Sequence, residues 1–269
     1  MTLSGKKILF ILFSYSCFFA SAAPQVAPEG KIVTPDGKVI RTRSIKLRPQ
    51  GELEYVATDG TTVKRISRER YRYAWIPKPA AVTKADQVYK EHKYKEAAVL
   101  YRQCAGEFKQ LGWEVYCIRM EAESLAKSGE KLLARKRLKE LHKIRIVNDE
   151  SREELFLADD LLSDLLIDAR QYEEALQLLR KQMKLDQKDL VFSALFKQAV
   201  IKQNRNQRLE AAKAFYRIAL LFPGHERRAE VLYNAWSLFT ELKNPAAGKI
   251  AELLKKQYPE DANTKRIFL

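Results

Sequence analysis

From residue 80 onward, small and bulky side chains recur at fixed spacing. Ala85, Ala122, Ser163, Ala199 and Ala235 are each followed, twelve positions later, by Ala97, Ala134, Ala175, Ala211 and Ala247. The gaps between successive later alanines are 37, 41, 36 and 36, which divides the stretch into five units of about 36 residues. Tyr101, Leu138, Leu179, Phe215 and Ala251 stand four places further on, and all but the last are bulky. Antiparallel helices approach closely only where small side chains meet at the crossing, and a twelve-residue offset spans the rest of one helix and a tight turn into the next. Each unit is therefore expected to be a helix–turn–helix pair. A pair of this kind cannot bury its own faces alone, so neighbours stack into a solenoid.

The chain before residue 80 has another pattern. Pro24, Pro28, Pro35, Pro49, Pro77 and Pro79 fall there, against only Pro223, Pro245 and Pro259 beyond it. The first region thus suits turns and strands, and the second is free to be helical. Lys31 to Thr34 and Lys38 to Arg43 flank Thr34-Pro35-Asp36-Gly37, while Glu52 to Thr58 and Thr61 to Ile66 flank Asp59-Gly60. Asp-Gly supplies the positive φ that a tight turn between twisted strands demands, so both read as hairpins in a module of four to six short strands. Tyr71, Tyr73 and Trp75 alternate with Arg70, Arg72 and Ala74, which puts the aromatics on one face of a strand and the arginines on the other. A module this small is expected to use the aromatics as core and the arginines as a solvated face; the other reading is a ligand-stacking surface. Pro77-Lys78-Pro79 marks the boundary between a β-rich module and linker over 23–79 and a helical array over 80–269.

With Tyr94-Lys95-Glu96-Ala97 and Tyr101, Tyr172-Glu173-Glu174-Ala175 and Leu179, and the closures Phe222-Pro223 and Tyr258-Pro259, the array resembles the tetratricopeptide repeat (TPR) family. The glycine that the family sets before its turn is present as Gly129 in the second unit, and is replaced by His92 in the first and Arg170 in the third. The resemblance covers about residues 80 to 262. Its last two units are similar to exported bacterial repeat proteins that coordinate envelope machinery, including the periplasmic cell-division coordinator group. It implies a mainly α fold: a TPR-like α-solenoid of about five helix–turn–helix units preceded by a small β module. Asp36-Gly37-Lys38-Val39, Gly51-Glu52-Leu53 and Asp59-Gly60 give that module a resemblance to small SH3-like barrels.

Lys6 and Lys7, the apolar stretch Ile8 to Ala20 and then Ala20-Ser21-Ala22 follow the layout of a secretory signal peptide over 1–22, cleaved before Ala23. The apolar run is shorter than the roughly 20 residues a spanning helix requires, so no transmembrane span is expected after processing. The expected product is an exported protein of the periplasm or cell envelope. Its formal charge falls from +15 to +13 with the loss of Lys6 and Lys7. An exported basic protein meets anionic envelope surfaces rather than nucleic acid. With 46% hydrophobic and 31% charged residues the chain is too mixed for wholesale disorder. Processing leaves Cys104 and Cys117, either a disulfide or two buried free thiols.

No catalytic constellation is present. His92, His142 and His225 lack metal-ligand spacing, and there is neither a Gly-x-Ser-x-Gly elbow nor a Gly-rich phosphate loop. No enzyme, cofactor or metal is expected. Recognition is what the array offers, since in the resembled family the first helix of each unit lines a concave groove. Helical spacing carries that role to Tyr89 and Lys90, Arg119, Glu123 and Lys127, Asp160, Asp164 and Asp168, Lys197 and Gln203, and then Leu232, Tyr233, Trp236 and Phe239. A protein or peptide partner is expected there, anchored at the aromatic end by Tyr233, Trp236 and Phe239. The three aspartates, four apart on one helix, repel and call for a compensator: Arg119 or Lys127 of the adjacent first helix, or a basic ligand segment. Lys131, Arg135, Lys139 and Lys143 form a basic stripe on a second helix, expected to be convex, and either a solvated surface or a dock for anionic lipid, polymer or acidic protein. The expected function is a non-enzymatic interaction scaffold or adaptor; the alternative is a structural envelope protein held by charge.

Overall fold

The computed structural model describes residues 30–268 apart from 145 and 147, so the leader and Cys17 lie outside the described residues. Five strands, β1 (Gly30–Val33), β2 (Val39–Leu47), β3 (Leu53–Ala57), β4 (Val63–Ile66) and β5 (Tyr73–Trp75), form one antiparallel sheet in the order β4-β3-β2-β1-β5. The first four strands make a meander and the last returns to pair with β1, leaving β4 and β5 as the two edges of an open sheet. Both Asp-Gly hairpins form as expected. At the second, Gly60 takes φ +81° and Asp59 Oδ1 accepts from the Thr61 and Thr62 amides at 2.9 Å each, which fixes the turn.

The aromatic alternation before the linker is resolved differently from the expectation. Tyr71 is core, 2% exposed, but it precedes β5. Within the strand it is Ala74, paired with the fully buried Ile32, that faces the core. Tyr73 and Trp75 point the other way, where the Lys31 ammonium lies 5.6 Å from the Trp75 ring. The strand alternates as a strand must, and the side with the larger core demand took the small residue because the helical array supplies bulk from outside. Leu111 and Phe108, from the array, complete the sheet's hydrophobic cluster. Ile76 N–H donates to Leu111 O at 3.2 Å, Trp113 Nε1 donates to Ile76 O at 2.9 Å, and the Tyr71 hydroxyl sits between Gly51 O and the Gln110 side chain.

Ten helices follow as five antiparallel pairs: α1 (Ala80–Lys90) with α2 (Tyr94–Glu107), α3 (Glu114–Lys127) with α4 (Lys131–Leu141), α5 (Asp149–Asp168) with α6 (Tyr172–Gln182), α7 (Lys188–Asn204) with α8 (Arg208–Leu221), and α9 (Arg228–Glu241) with α10 (Ala246–Gln257). A short α11 (Ala262–Ile267) closes the stack against α9 and α10. The small residues that mark the period are fully buried, with Ala247 of the last unit the exception, because no sixth pair covers it. Tyr101, Leu138, Leu179 and Phe215 are likewise buried, filling the space between units.

One device repeats at all five turns. His92, Gly129, Arg170, Asn206 and Lys243 each take a positive φ just past a first helix. In every case the amide of that residue bonds three residues back and the next amide five back, as in Gly129 to Ala126 and Glu130 to Leu125. This double closure satisfies the last carbonyls of the helix and turns the chain sharply into the second helix. His92 and Arg170, departures from the family glycine in sequence, occupy the same geometry as Gly129.

The first-helix face as candidate partner-binding site

Helices α1, α3, α5, α7 and α9 each carry one row of side chains at spacings of three and four, so the rows line a common face. At its start the structure brings Tyr89, Arg119, Glu123 and Lys127 together. Tyr89 donates its hydroxyl proton to Glu123, Lys127 reaches both Tyr89 and Glu123, and Arg119 joins Glu123 at 3.0 Å and Glu154 of α5. Burial, and then the Glu123 carboxylate, push the Tyr89 phenol above its ordinary range. Lys90 is exposed and forms no ion pair with this cluster among the described residues. Beside it Asp86 accepts from the hydroxyls of Tyr101 and Tyr116 at 2.7 Å each and pairs with Lys78 of the linker, tying the boundary segment into the first two units.

The acidic helix finds other compensators than the expected ones. Lys197 of α7, only 9% exposed, lies 2.8 Å from Asp160 Oδ1 and 2.9 Å from Asp164 Oδ1. It also donates to Asp160 O at 2.7 Å and Ser163 Oγ at 3.1 Å. Asp168 turns away and meets Lys131 of α4 at 2.6 Å. Arg119 and Lys127 are already engaged by Glu123 and Glu154, which is why they do not serve. Lys197 is thus a lock between units, not a surface ligand contact. The basic stripe is also largely engaged: besides Lys131, Arg135 reaches Gln171 and Lys139 meets Glu174 at 2.6 Å, while Lys143, expected on the same helix, falls in the turn after α4 and makes no such pair among the described residues. These bonds join unit two to unit three.

At the far end Tyr233 and Trp236 remain partly exposed with ring centroids 5.5 Å apart. Leu232 and Phe239, placed on the same face by spacing, are instead core, 0% and 5% exposed. One helical face is wider than the strip that solvent reaches, so its flanks pack against α8 and α10. Gln203 is exposed near the end of α7. Spacing from the marker residues missed Phe196 and Arg227. Arg227 holds Glu230 through two bonds of 2.7 and 3.1 Å and lies 4.6 Å over the Phe196 ring. The signals were the Phe192/Phe196 and Arg227/Glu230 pairs at helical spacing.

Solved structures similar to this chain are repeat arrays. The kinesin light chain TPR-like repeats of Podosopora anserina align with a TM-score of 0.51 at 14% identity, covering 66% of this chain and 96% of that one. The array is a TPR-like α-solenoid. Residues 41 to end of MamA from Desulfovibrio magneticus RS-1 match this solenoid with a TM-score of 0.52 at 15% identity, over 67% and 98% of the two chains. BtubC from P. vanneervenii gives 0.53 at 16%, over 64% and 76%. No family model and no curated protein matches the sequence.

His92 meets the Tyr94 hydroxyl, His142 Nε2 lies 2.9 Å from Asp159 Oδ1, and His225 stacks on Phe192 with centroids 3.6 Å apart. Cys104 and Cys117 are buried free thiols, and burial pushes both above the ordinary thiol range. Among the described residues no group of three or more His, Cys, Asp or Glu is placed to hold a metal, and no helix is long and apolar enough to cross a membrane.

Proposed function

We propose that this chain is a non-enzymatic interaction scaffold of the cell envelope, and that the first-helix face of its solenoid holds a peptide or a partner's helix. The observation that carries this reading is the Tyr233–Trp236 pair, two large aromatics left partly exposed on a face whose charges elsewhere are paired with one another. Aromatic side chains of this kind anchor interfaces at low conformational cost, while internally satisfied charges contribute complementarity rather than energy. The basic stripe gives little support to electrostatic docking on an anionic surface, because three of its four members are engaged across units.

A photo-crosslinking residue at Tyr233 in the full chain, expressed in cells, tests the face. It should capture a discrete polypeptide, and Trp236→Ala should remove that product while leaving the helical circular dichroism intact. Capture that persists in Trp236→Ala would refute the anchor. The envelope location rests on Lys6, Lys7, the apolar stretch and Ala20-Ser21-Ala22. A mature N-terminus at Ala23 and recovery outside the cytoplasm are its expected readouts.

A further inference from the structure

A trough lies on the opposite side of α3 from the first-helix face. In α3, Tyr116, Arg119, Glu123 and Lys127 face the first-helix side, whereas Glu114, Ile118, Glu121 and Leu125 are two residues out of step, about 200° around the helix. That rear row floors a trough between α2 and α4. A section of about 290 Å³ between Arg102, Leu133 and Lys136 shares Arg102, Arg137 and Glu140 with one of about 450 Å³. The larger section in turn shares Lys109, Glu114, Lys143 and Ile144 with a cleft of about 290 Å³ against the β module, where Arg68, Arg72 and Tyr73 form the wall. The three sections are therefore continuous. From Leu133 to Leu141 the α4 wall runs about 12 Å at the helical rise, room for about four residues of extended chain, and Lys143 stands two residues beyond the helix end.

Two features of the trough are unlike the first-helix face. Its charges are unbalanced: seven cationic and three acidic side chains line it. Two of the acids are occupied from within, since the fully buried Glu121 takes Arg102 at 2.7 Å and Arg137 at 2.6 Å, and Glu140 takes Arg137 at 2.5 Å. Lys109, Lys136, Lys143 and Arg72 pair with no carboxylate among the described residues. The second feature is Gly106, on the α2 wall, where an added Cβ would meet nothing within 4 Å. Glycine in a helix costs about 0.5–1 kcal/mol relative to alanine, and neither a turn nor a close neighbour requires it here. Its effect is to keep the wall low.

We propose that this trough receives an acidic polypeptide segment of a partner, extended between α2 and α4, with its carboxylates on Lys109, Lys136 and Lys143 and an apolar side chain on Leu133, which is 47% exposed. Charge complementarity sets the sign of the occupant. The exposed Leu133 beside these cations favours a polypeptide with alternating acidic and apolar side chains over a uniformly anionic polymer, which brings nothing apolar to it.

The test uses the full chain and a fluorescein-labelled octapeptide, Glu-Val-Asp-Leu-Glu-Val-Asp-Leu, followed by anisotropy at about 0.15 M salt, where exposed charges are screened beyond about 8 Å. Saturable binding is expected. It should weaken at least tenfold in Lys136→Glu/Lys143→Glu, and similarly in Gly106→Trp, which fills the trough without removing a charge. Lys213→Glu/Lys249→Glu, which makes the same change in net charge at exposed positions of α8 and α10, should leave it unaltered. Absence of saturable binding, full affinity in Gly106→Trp, equal weakening by the control pair, or variant-sensitive binding of polyphosphate in place of the peptide would each overturn the proposal. Trp236→Ala should not affect this binding, so its outcome is read separately from that of the first-helix face.

Discussion

Lys197 Nζ on α7 lies 2.8 Å from Asp160 Oδ1 on α5, an ion pair that joins the third and fourth units through their first helices. The lysine is 9% exposed and Asp160 is 29% exposed, so the pair is neither fully desolvated nor freely hydrated. Its removal leaves Asp160 and Asp164, one turn apart, without their shared cation. Lys197→Met is expected to lower stability by about 2 kcal/mol, within the range for hydrogen bonds to charged groups. Urea unfolding of Lys197→Met, Asp160→Asn and the double variant checks this, with the double costing less than the two singles together.

The five first-helix turns share one hydrogen-bond pattern but differ in the residue that takes the positive φ. Arg170 takes φ 58° where Gly129 takes φ 92° in the equivalent turn. A side chain in the left-handed region costs roughly 1–2 kcal/mol, and Arg170 is exposed. Arg170→Gly should therefore raise stability by about 1 kcal/mol, and Gly129→Ala should lower it by a similar amount. Thermal melts of the two variants should move in opposite directions.

Within α9 the same predicted face splits into surface and core. Phe239→Ala removes a side chain that is 5% exposed and should cost about 3 kcal/mol or more. Tyr233→Ala removes a partly exposed ring and should cost less than about 1 kcal/mol. Chemical denaturation of the two variants distinguishes them; comparable losses would mean that Tyr233 is also packed.

The β3–β4 hairpin carries a pH signature. Hydrogen bonds from the Thr62 side chain, then from the Thr62 and Thr61 amides, lower the Asp59 carboxyl from 3.8 to about 2. A folded value below the unfolded one means that the ionised carboxylate favours the fold. That contribution is complete above about pH 4 and is lost as pH falls through about 2. An NMR titration should show a midpoint near 2 for Asp59, and amide exchange at Thr61 and Thr62 should accelerate over the same window. A midpoint near 3.8 would contradict the turn geometry.

The sequence by itself determined the architecture of the array. A close helix crossing tolerates only small side chains, so the twelve-residue alanine pairs and the bulky residue four beyond them specify which faces meet, whatever else the helices carry. The Asp-Gly turns fixed both hairpins for an equally local reason, the need for positive φ. Partner choice among charges was decided by tertiary structure alone. Asp160, Asp164 and Asp168 are equivalent by helical spacing, yet Lys197 collects the first two and Lys131 the third, because the rotation between stacked units sets which side chains come within a few ångströms. The same holds for Tyr73 and Trp75, whose face follows from how the array covers the sheet, and for Phe239, whose burial follows from α8 and α10 closing over the flank of α9. Periodicity encodes distances along a helix; ion pairing and exposure depend on distances between helices, which only the packed stack supplies.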